Sequence, residues 1–469
     1  MSGNSECGCA GGHPTRRTVL KGLAGGLGSI ALMDLLSRET EGATSPAQVF
    51  AQRAKRVIFL FMHGGPSHVD TFDHKPLLNA HDGRELPFAK PRVQFAQTGN
   101  LLRSPWQFRQ YGQSGAWVSD LFRETAAHVD DMTFIKSMHG SNAAHGGALL
   151  KMHTGSDTFV RPSMGAWISY GLGTENSNLP SFITINPTLG HGGVQNFGAA
   201  FLPAQHQATR IGASGGKQRS SAGSIANLEN TYLSHAEQRQ QLELTQMFNR
   251  HQLERTAPDS QLAARIESLE LAFRMQTEAP EVLDLKDETQ ATLRLYGIDN
   301  ERTQNFGRSC LMARRLSEAG VRFVQASHAY WDQHSELKEK HGELAGQVDR
   351  PIAGLLSDLK ARGLLDETLV IWGAEFGRTP TAQGNNGRDH NPHAFTYWMA
   401  GGGVKAGFSY GETDDYGFYA AHNKVHVHDF HATLLYLLGL DHERLTYRHG
   451  GRDFRLTDVH GTVIRDIVA

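Results

Sequence analysis

The chain has 469 residues, with 46 Lys+Arg against 48 Asp+Glu and a formal net charge of −2. That balance leaves no basic excess for nucleic acid and no single-sign field for a membrane surface. Hydrophobic residues make up 39% and mean hydropathy is −0.41, which suits a soluble globular protein and argues against several membrane spans.

Residues 1–51 read as a twin-arginine signal peptide. Thr15-Arg16-Arg17-Thr18-Val19-Leu20-Lys21 supplies the paired arginines, and the mildly apolar stretch Gly22 to Leu36 is too short and weak to span a bilayer. Val49-Phe50-Ala51 offers a small-residue cleavage region. The mature chain, 52–469, is expected in the periplasm or outside the cell, with no transmembrane span. Of the 3 Cys, Cys7 and Cys9 precede the signal and Cys310 stands alone, so no internal disulfide is expected. With 25 His present, any metal site must use imidazoles and carboxylates.

Arg56 to Met62 is a continuous apolar run, as for a strand buried on both faces of a parallel sheet. Met132 to Ile135 and Phe182 to Ile185 are shorter candidates, with a helix from Ala143 to Met152 between them. Residues 207–305 differ: Gly and Ser fill 212–224, and polar helices are predicted at 225–256, 259–277 and 286–296. This stretch reads as a helical insertion, either a structural cap, a lid or an arm for a protein partner. Helix and strand then alternate: a helix at 303–319, a strand at 321–326, a helix at 341–362, a strand at 368–373, a strand at 397–400 and a helix at 429–438. The pattern predicts an α/β fold with a doubly wound, mainly parallel sheet. Such sheets bind ligands beyond the carboxyl ends of their strands.

The residues just past each strand are therefore the place to look for chemistry. His63 and Asp70 come after the first, and His139, Ser141 and His145 after the second. Asp332 and His334 come after the strand ending at Ala326, and Glu375, Arg378, Arg388, Asp389 and His390 after Trp372. Imidazole and carboxylate suit Zn, Mn and Fe, and mostly carboxylate sites suit Ca. The expected ligand pool for a divalent metal is His63, Asp70, Asp332, His334, Glu375, Asp389 and His390. His145 is a candidate general acid/base or further ligand. Arg378 and Arg388 are candidates for holding an anion, as guanidinium forks do. Ser141 reads as a helix N-cap or, less simply, a nucleophile. His428 is a weaker ligand candidate among His422, His426 and His431.

Gly363 to Ile371 resembles the late strand of sulfatases in the alkaline phosphatase superfamily, and Ala143 to Thr154-Gly155 resembles the helix that carries their nucleophile. The chain more closely resembles a bacterial family of exported proteins, domain of unknown function 1501. The matching segments are Gly64-Gly65-Pro66-Ser67-His68 with Asp70 to Asp73, Arg161 to Gly165, Glu375 to Pro380, and Leu445-Thr446-Tyr447 with Gly451 to Phe454. The resemblance implies a sulfatase-like fold and export, but no known reaction. The chain departs from sulfatases where it matters: no Cys/Ser-x-Pro-x-Arg motif lies between 137 and 155, and His63 stands where they have a metal-binding Asp. The reading is an exported metal-dependent hydrolase of a sulfated or phosphorylated small molecule or polysaccharide, with metal-bound water or hydroxide as nucleophile. The alternative is a non-catalytic exported binding protein on the same fold.

Overall fold

The computed structural model describes residues 47–89, 97–212, 225, 228, 230, 232–255 and 260–469. Residues 1–46, most of the expected signal peptide 1–51 and including Cys7 and Cys9, and the Gly/Ser-rich 213–224 lie outside the described residues. Among those described, no helix is long and apolar enough to cross a membrane.

Strand β1 (Arg56–Met62) explains the architecture. Ile58, Leu60 and Met62 enter one hydrophobic core, while Val57, Phe59 and Phe61 enter another. Both faces are covered, so an unbroken apolar run is what the strand needs. The other strands are β2 (Met132–His139), β3 (Phe182–Ile185), β4 (Thr209–Ile211), β5 (Phe323–His328) and β6 (Thr368–Gly373). A hairpin comes next, β7 (Gly377–Gln383) and β8 (Gly387–Asn391), then β9 (Phe395–Ala400), β10 (Phe408–Tyr410) and β11 (Val425–His426). The nine-stranded sheet has the order β10-β2-β9-β6-β1-β5-β3-β4, with β11 beside β2. β1 lies parallel to both β5 and β6, and β3 is parallel to β5 and β4. Among the described strands of this sheet, only β9 runs against its neighbours, β2 and β6. The fold is a doubly wound, mainly parallel α/β sheet.

Helices α1 (His145–Thr154), α2 (Met164–Leu172) and α8 (Val427–Leu437) cover one face. The other is covered by α4 (Ser260–Leu283), α6 (Gln304–Glu318) and α7 (Leu337–Ala361). In the insertion, Met275 and Ala279 of α4 enter the sheet core. α3 (His235–Arg255) packs on α4, where Gln246 Nε2 donates to the Ile266 carbonyl at 2.9 Å, and α5 (Gln290–Leu295) comes after them.

Several elements differ from the sequence reading, β4 among them, since it joins the sheet from within the expected helical insertion 207–305. β2 runs four residues beyond Ile135 because β9 and β11 pair with its far half. α2 went unread; its start is marked by Ser163, whose hydroxyl caps the Ala166 amide. The β7/β8 hairpin looked like a loop because it is polar, yet Arg378, Thr379, Thr381 and Arg388 are all buried. The proposed cleavage region also belongs to the folded body: Ala47 is buried, and the Val49 and Phe50 amides donate to the Gly439 carbonyl.

A buried ion pair fixes the hairpin to the loop after β1. Arg388 Nε donates to Asp70 Oδ2 at 2.6 Å and Nη2 to Oδ1 at 3.1 Å, with neither side chain exposed. Burial resists the Asp70 charge, but Arg388 outweighs it and holds the carboxyl below its ordinary range. Removing one partner strands the other charge. Arg388→Met is therefore expected to lower unfolding free energy by about 3–5 kcal/mol. Urea unfolding followed by circular dichroism checks this; a loss below about 1 kcal/mol contradicts it.

Two histidines, the buried His341 and the half-buried His328, accept from neutral donors. The Ser67 amide donates to His341 Nε2 at 3.2 Å, and Trp331 Nε1 donates to His328 Nδ1 at 3.0 Å. Burial lowers their pKa values to about 3 and about 4. In the unfolded chain both bind protons near pH 6.5. Their contribution is thus intact above about pH 6.5 and is lost as pH falls toward 4 and then 3, by up to about 1.4 kcal/mol per unit for each. Urea midpoints at pH 7.5, 6, 5 and 4 are expected to fall in that order.

Candidate metal centre

The centre lies beyond the carboxyl ends of β1, β5 and β6, where three neighbouring parallel strands release their loops on the same side. After β1 the chain turns through Gly64 and Gly65, at φ +116° and +87°. A Cβ on Gly64 would lie 2.7 Å from the Trp331 backbone, and one on Gly65 2.7 Å from the Phe376 ring. Only glycine permits the loops after β1, β5 and β6 to approach this closely.

Glu375 is the buried acceptor beneath the centre. Its Oε1 and Oε2 take the Gly64 amide at 2.9 and 3.1 Å, and Oε1 lies 2.8 Å from His145 Nδ1. In the neutral ring, the form that can ligate a cation, that contact places the proton on Nδ1 and leaves Nε2 as the bare nitrogen. His145 Nε2 lies 3.3 Å from Asp332 Oδ2, without an aligned hydrogen bond. Asp332 Oδ1 takes Arg378 Nη2 at 2.6 Å and has His334 Nε2 at 2.9 Å and His390 Nε2 at 3.1 Å. His334 Nε2 and His390 Nε2 are themselves 3.1 Å apart. Asp389 Oδ1 lies 3.9 Å from His334 Nδ1.

This crowding sets the electrostatics. Burial disfavours a charged His145, but the Asp332 and Glu375 carboxylates outweigh it and raise its pKa to about 9. Burial also resists ionisation of Asp332, yet His145, His334, His390 and Arg378 hold it far below the carboxylate range. Asp332 raises His334 in turn. Burial lowers both His63 and His390.

The donors fit a cation. Three overlapping groups each offer ligand atoms within 4.8 Å of one another: His63/His145/His191, His145/Asp332/His390 and His334/Asp389/His390. Ligands on a cation with bonds of about 2.0–2.1 Å sit about 3.0–3.4 Å apart, and the 3.3 Å between His145 Nε2 and Asp332 Oδ2 falls in that range. His63 Nε2 is buried without a hydrogen-bond partner, as a nitrogen kept for a metal would be. Because Arg378 occupies Asp332 Oδ1, Oδ2 is the oxygen open to a cation.

Of the residues read from the sequence, the fold brings together His63, His145, Asp332, His334, Glu375, Asp389 and His390. Asp70 is elsewhere, paired with Arg388. The two arginines also change role. All three Arg378 nitrogens donate to protein acceptors: the carbonyls of Gly64, Gly65, Trp331 and Arg388, and Asp332. All three Arg388 nitrogens do likewise, to Asp70, Thr379 and Leu102. Every nitrogen is thus engaged and both side chains are buried, so the two arginines hold protein groups in place. Ser141 is not the N-cap of α1, which is Ala144; its Oγ reaches Asp157 instead. His426, His428 and His431 gather apart, around α8, and among the described residues they do not form a group at metal-ligand spacing. Sequence reasoning missed His191. It lies after β3 within Asn186 to Gly193, the same strand-then-histidine signal that picked out the others.

No curated protein matches the sequence. Solved structures align over most of the chain, but distantly. A lipoteichoic acid synthase, LtaP, from Listeria monocytogenes is 8% identical, with 89% of this chain and 77% of that one covered and a TM-score of 0.39. A phosphonate monoester hydrolase from Silicibacter pomeroyi is 9% identical, with coverage of 82% and 74% and a TM-score of 0.37. The alkaline phosphatase of the Antarctic bacterium TAB5 is 8% identical, with coverage of 82% and 99% and a TM-score of 0.31. At such distances these likenesses assign no activity. The profile of one family matches residues 54–468, nearly all of the folded body, and the chain belongs to it: the protein of unknown function family DUF1501.

Proposed function

We propose that this protein is an exported metal-dependent hydrolase of sulfate or phosphate esters. One observation carries the reading: imidazoles and carboxylates from five separate segments meet at ligand spacing around His145, Asp332 and His390. A mixed nitrogen and oxygen set favours Zn, Mn or Fe over Ca. A divalent ion held there would polarise an ester oxygen and acidify a water molecule.

The chain's own residues do the rest. Glu375 sets the tautomer of His145 and aims Nε2 at the centre. Arg378 binds Asp332 Oδ1 and so presents Oδ2. Since both arginines are committed, anion binding falls to the cation and to the start of α1. There, the amides of the first turn lack intrahelical acceptors, and Gly146 faces open space.

Purified protein is expected to carry stoichiometric metal by mass spectrometry and to turn over members of a sulfate and phosphate ester panel. Asp332→Ala and His390→Ala are each expected to lose the metal and at least about a hundredfold in kcat/KM. Folded, metal-free wild-type protein without turnover would remove the proposal. Glu375→Gln keeps its shape but loses its charge against His145. It is expected to bind metal about 10–100-fold more weakly in chelator competition. A second reading, a non-catalytic binding protein, is favoured by Leu244, Met247 and Phe248. They lie on one side of α3, 53%, 52% and 61% exposed.

A further inference from the structure

A cavity of about 570 Å³ lies beside the metal centre on the same edge of the sheet. It opens over the ends of β3 and β5, and Asn186, Asn305, Ser309, Ser327, Glu343 and Gln347 contribute to its wall. Its size falls in the ~300–1,000 Å³ range of small-molecule sites, but such sites are mostly apolar and this one is not. Among the described residues, the one permanently cationic side chain in the wall is Arg302, and its Nη2 donates to the Gly342 and Glu343 carbonyls. The wall also carries two carboxylates, Glu301 and Glu343. A sulfate or phosphate group would be repelled. What such a wall satisfies is a neutral ligand dense in hydroxyls, each of which donates and accepts.

The wall has groups to spare. Asn186 Nδ2 donates to Ser309 Oγ at 3.1 Å, and Gln347 Oε1 lies 3.0 Å from His328 Nε2. These contacts fix both amides while leaving Gln347 Nε2 for a ligand. The chain also couples the cavity to the centre. The loop after β3 gives Asn186 to one and His191 to the other, while the last residue of β5, His328, lines one and Asp332 in the loop beyond serves the other. Between these last two stands Tyr330, 71% exposed and at φ +76°. A left-handed backbone is strained for a tyrosine, and such strain gathers at functional sites.

We propose that this cavity is a subsite for a neutral sugar ring, with Tyr330 as the aromatic face the glycan passes over on its way to the metal centre. The substrate class is then a sulfated or phosphorylated glycan rather than a small aryl or alkyl ester. This rests on the hydrolase reading above, and the experiment separates the two.

The full chain in its metal-loaded form is titrated, by saturation-transfer NMR and calorimetry, with a panel of unmodified neutral oligosaccharides of glucose, galactose, mannose and fucose. Turnover of 4-nitrophenyl sulfate and 4-nitrophenyl phosphate is measured in parallel. Asn305→Ala and Glu343→Ala replace exposed helical positions with the best helix former, so the fold should survive. Each is expected to weaken oligosaccharide binding by about tenfold, the size of one or two lost hydrogen bonds, with metal content and aryl-ester turnover unchanged. Tyr330→Ala is expected to weaken it likewise. Oligosaccharide binding that these variants abolish, in a protein without ester turnover, supports the subsite while removing the hydrolase reading. No binding by the wild-type protein to any panel member overturns the subsite, as does binding that all three variants retain.

Discussion

A single buried guanidinium holds the centre in shape. Arg378 bonds the carbonyls of Gly64 and Gly65 after β1, the carbonyl of Trp331 and the carboxylate of Asp332 after β5, and the Arg388 carbonyl across its own hairpin. Three loops that share no sequence neighbourhood are thereby fixed against one another. Burial lowers its tendency to stay charged, and Asp332 is the main opposing influence. The same contact that orders the backbone therefore also keeps an acidic oxygen aimed at the ligand cluster. A charge this deep is tolerable only because each nitrogen meets an acceptor.

The sheet supplies the rest. Parallel pairing of β1 with β5 and β6 puts three strand ends on one edge, about 5 Å from strand to strand. Loops leaving adjacent strands can then touch without long excursions. The cost is electrostatic: Asp332, Glu375 and Asp389 converge within a largely buried space. Without a cation, His145 and His334 offset them by taking up protons more readily than usual. A divalent ion would replace those protons, so metal uptake here is proton release.

Much of this was legible from the sequence. Doubly buried strands announce themselves as apolar runs, and in a parallel sheet the residues just past such runs must share an edge. That rule alone gathered His63, Asp332, Glu375 and His390. It failed where one residue type serves two purposes. Asp70 and Arg388 have the same chemistry as ligands and anion binders, and nothing in local sequence tells a buried mutual pair from two open groups. Arg378 misled for the same reason: a guanidinium that binds carbonyls reads no differently from one that awaits a sulfate. The polar hairpin carrying it escaped notice because its burial is offset by hydrogen bonds rather than by apolar side chains. His191 was within reach, since β3 obeys the same rule as β1.

Gly64 and Gly65 leave no room for even one extra carbon where Trp331 and Phe376 press against them. The floor of the centre is consequently a frozen part of the molecule, in which almost any enlargement breaks the contact between loops. The cavity beside it carries no such restriction at Asn305 and Glu343, exposed positions on helices. Diversification among descendants of this chain would have to be written there, in the walls, while the floor stays as it is.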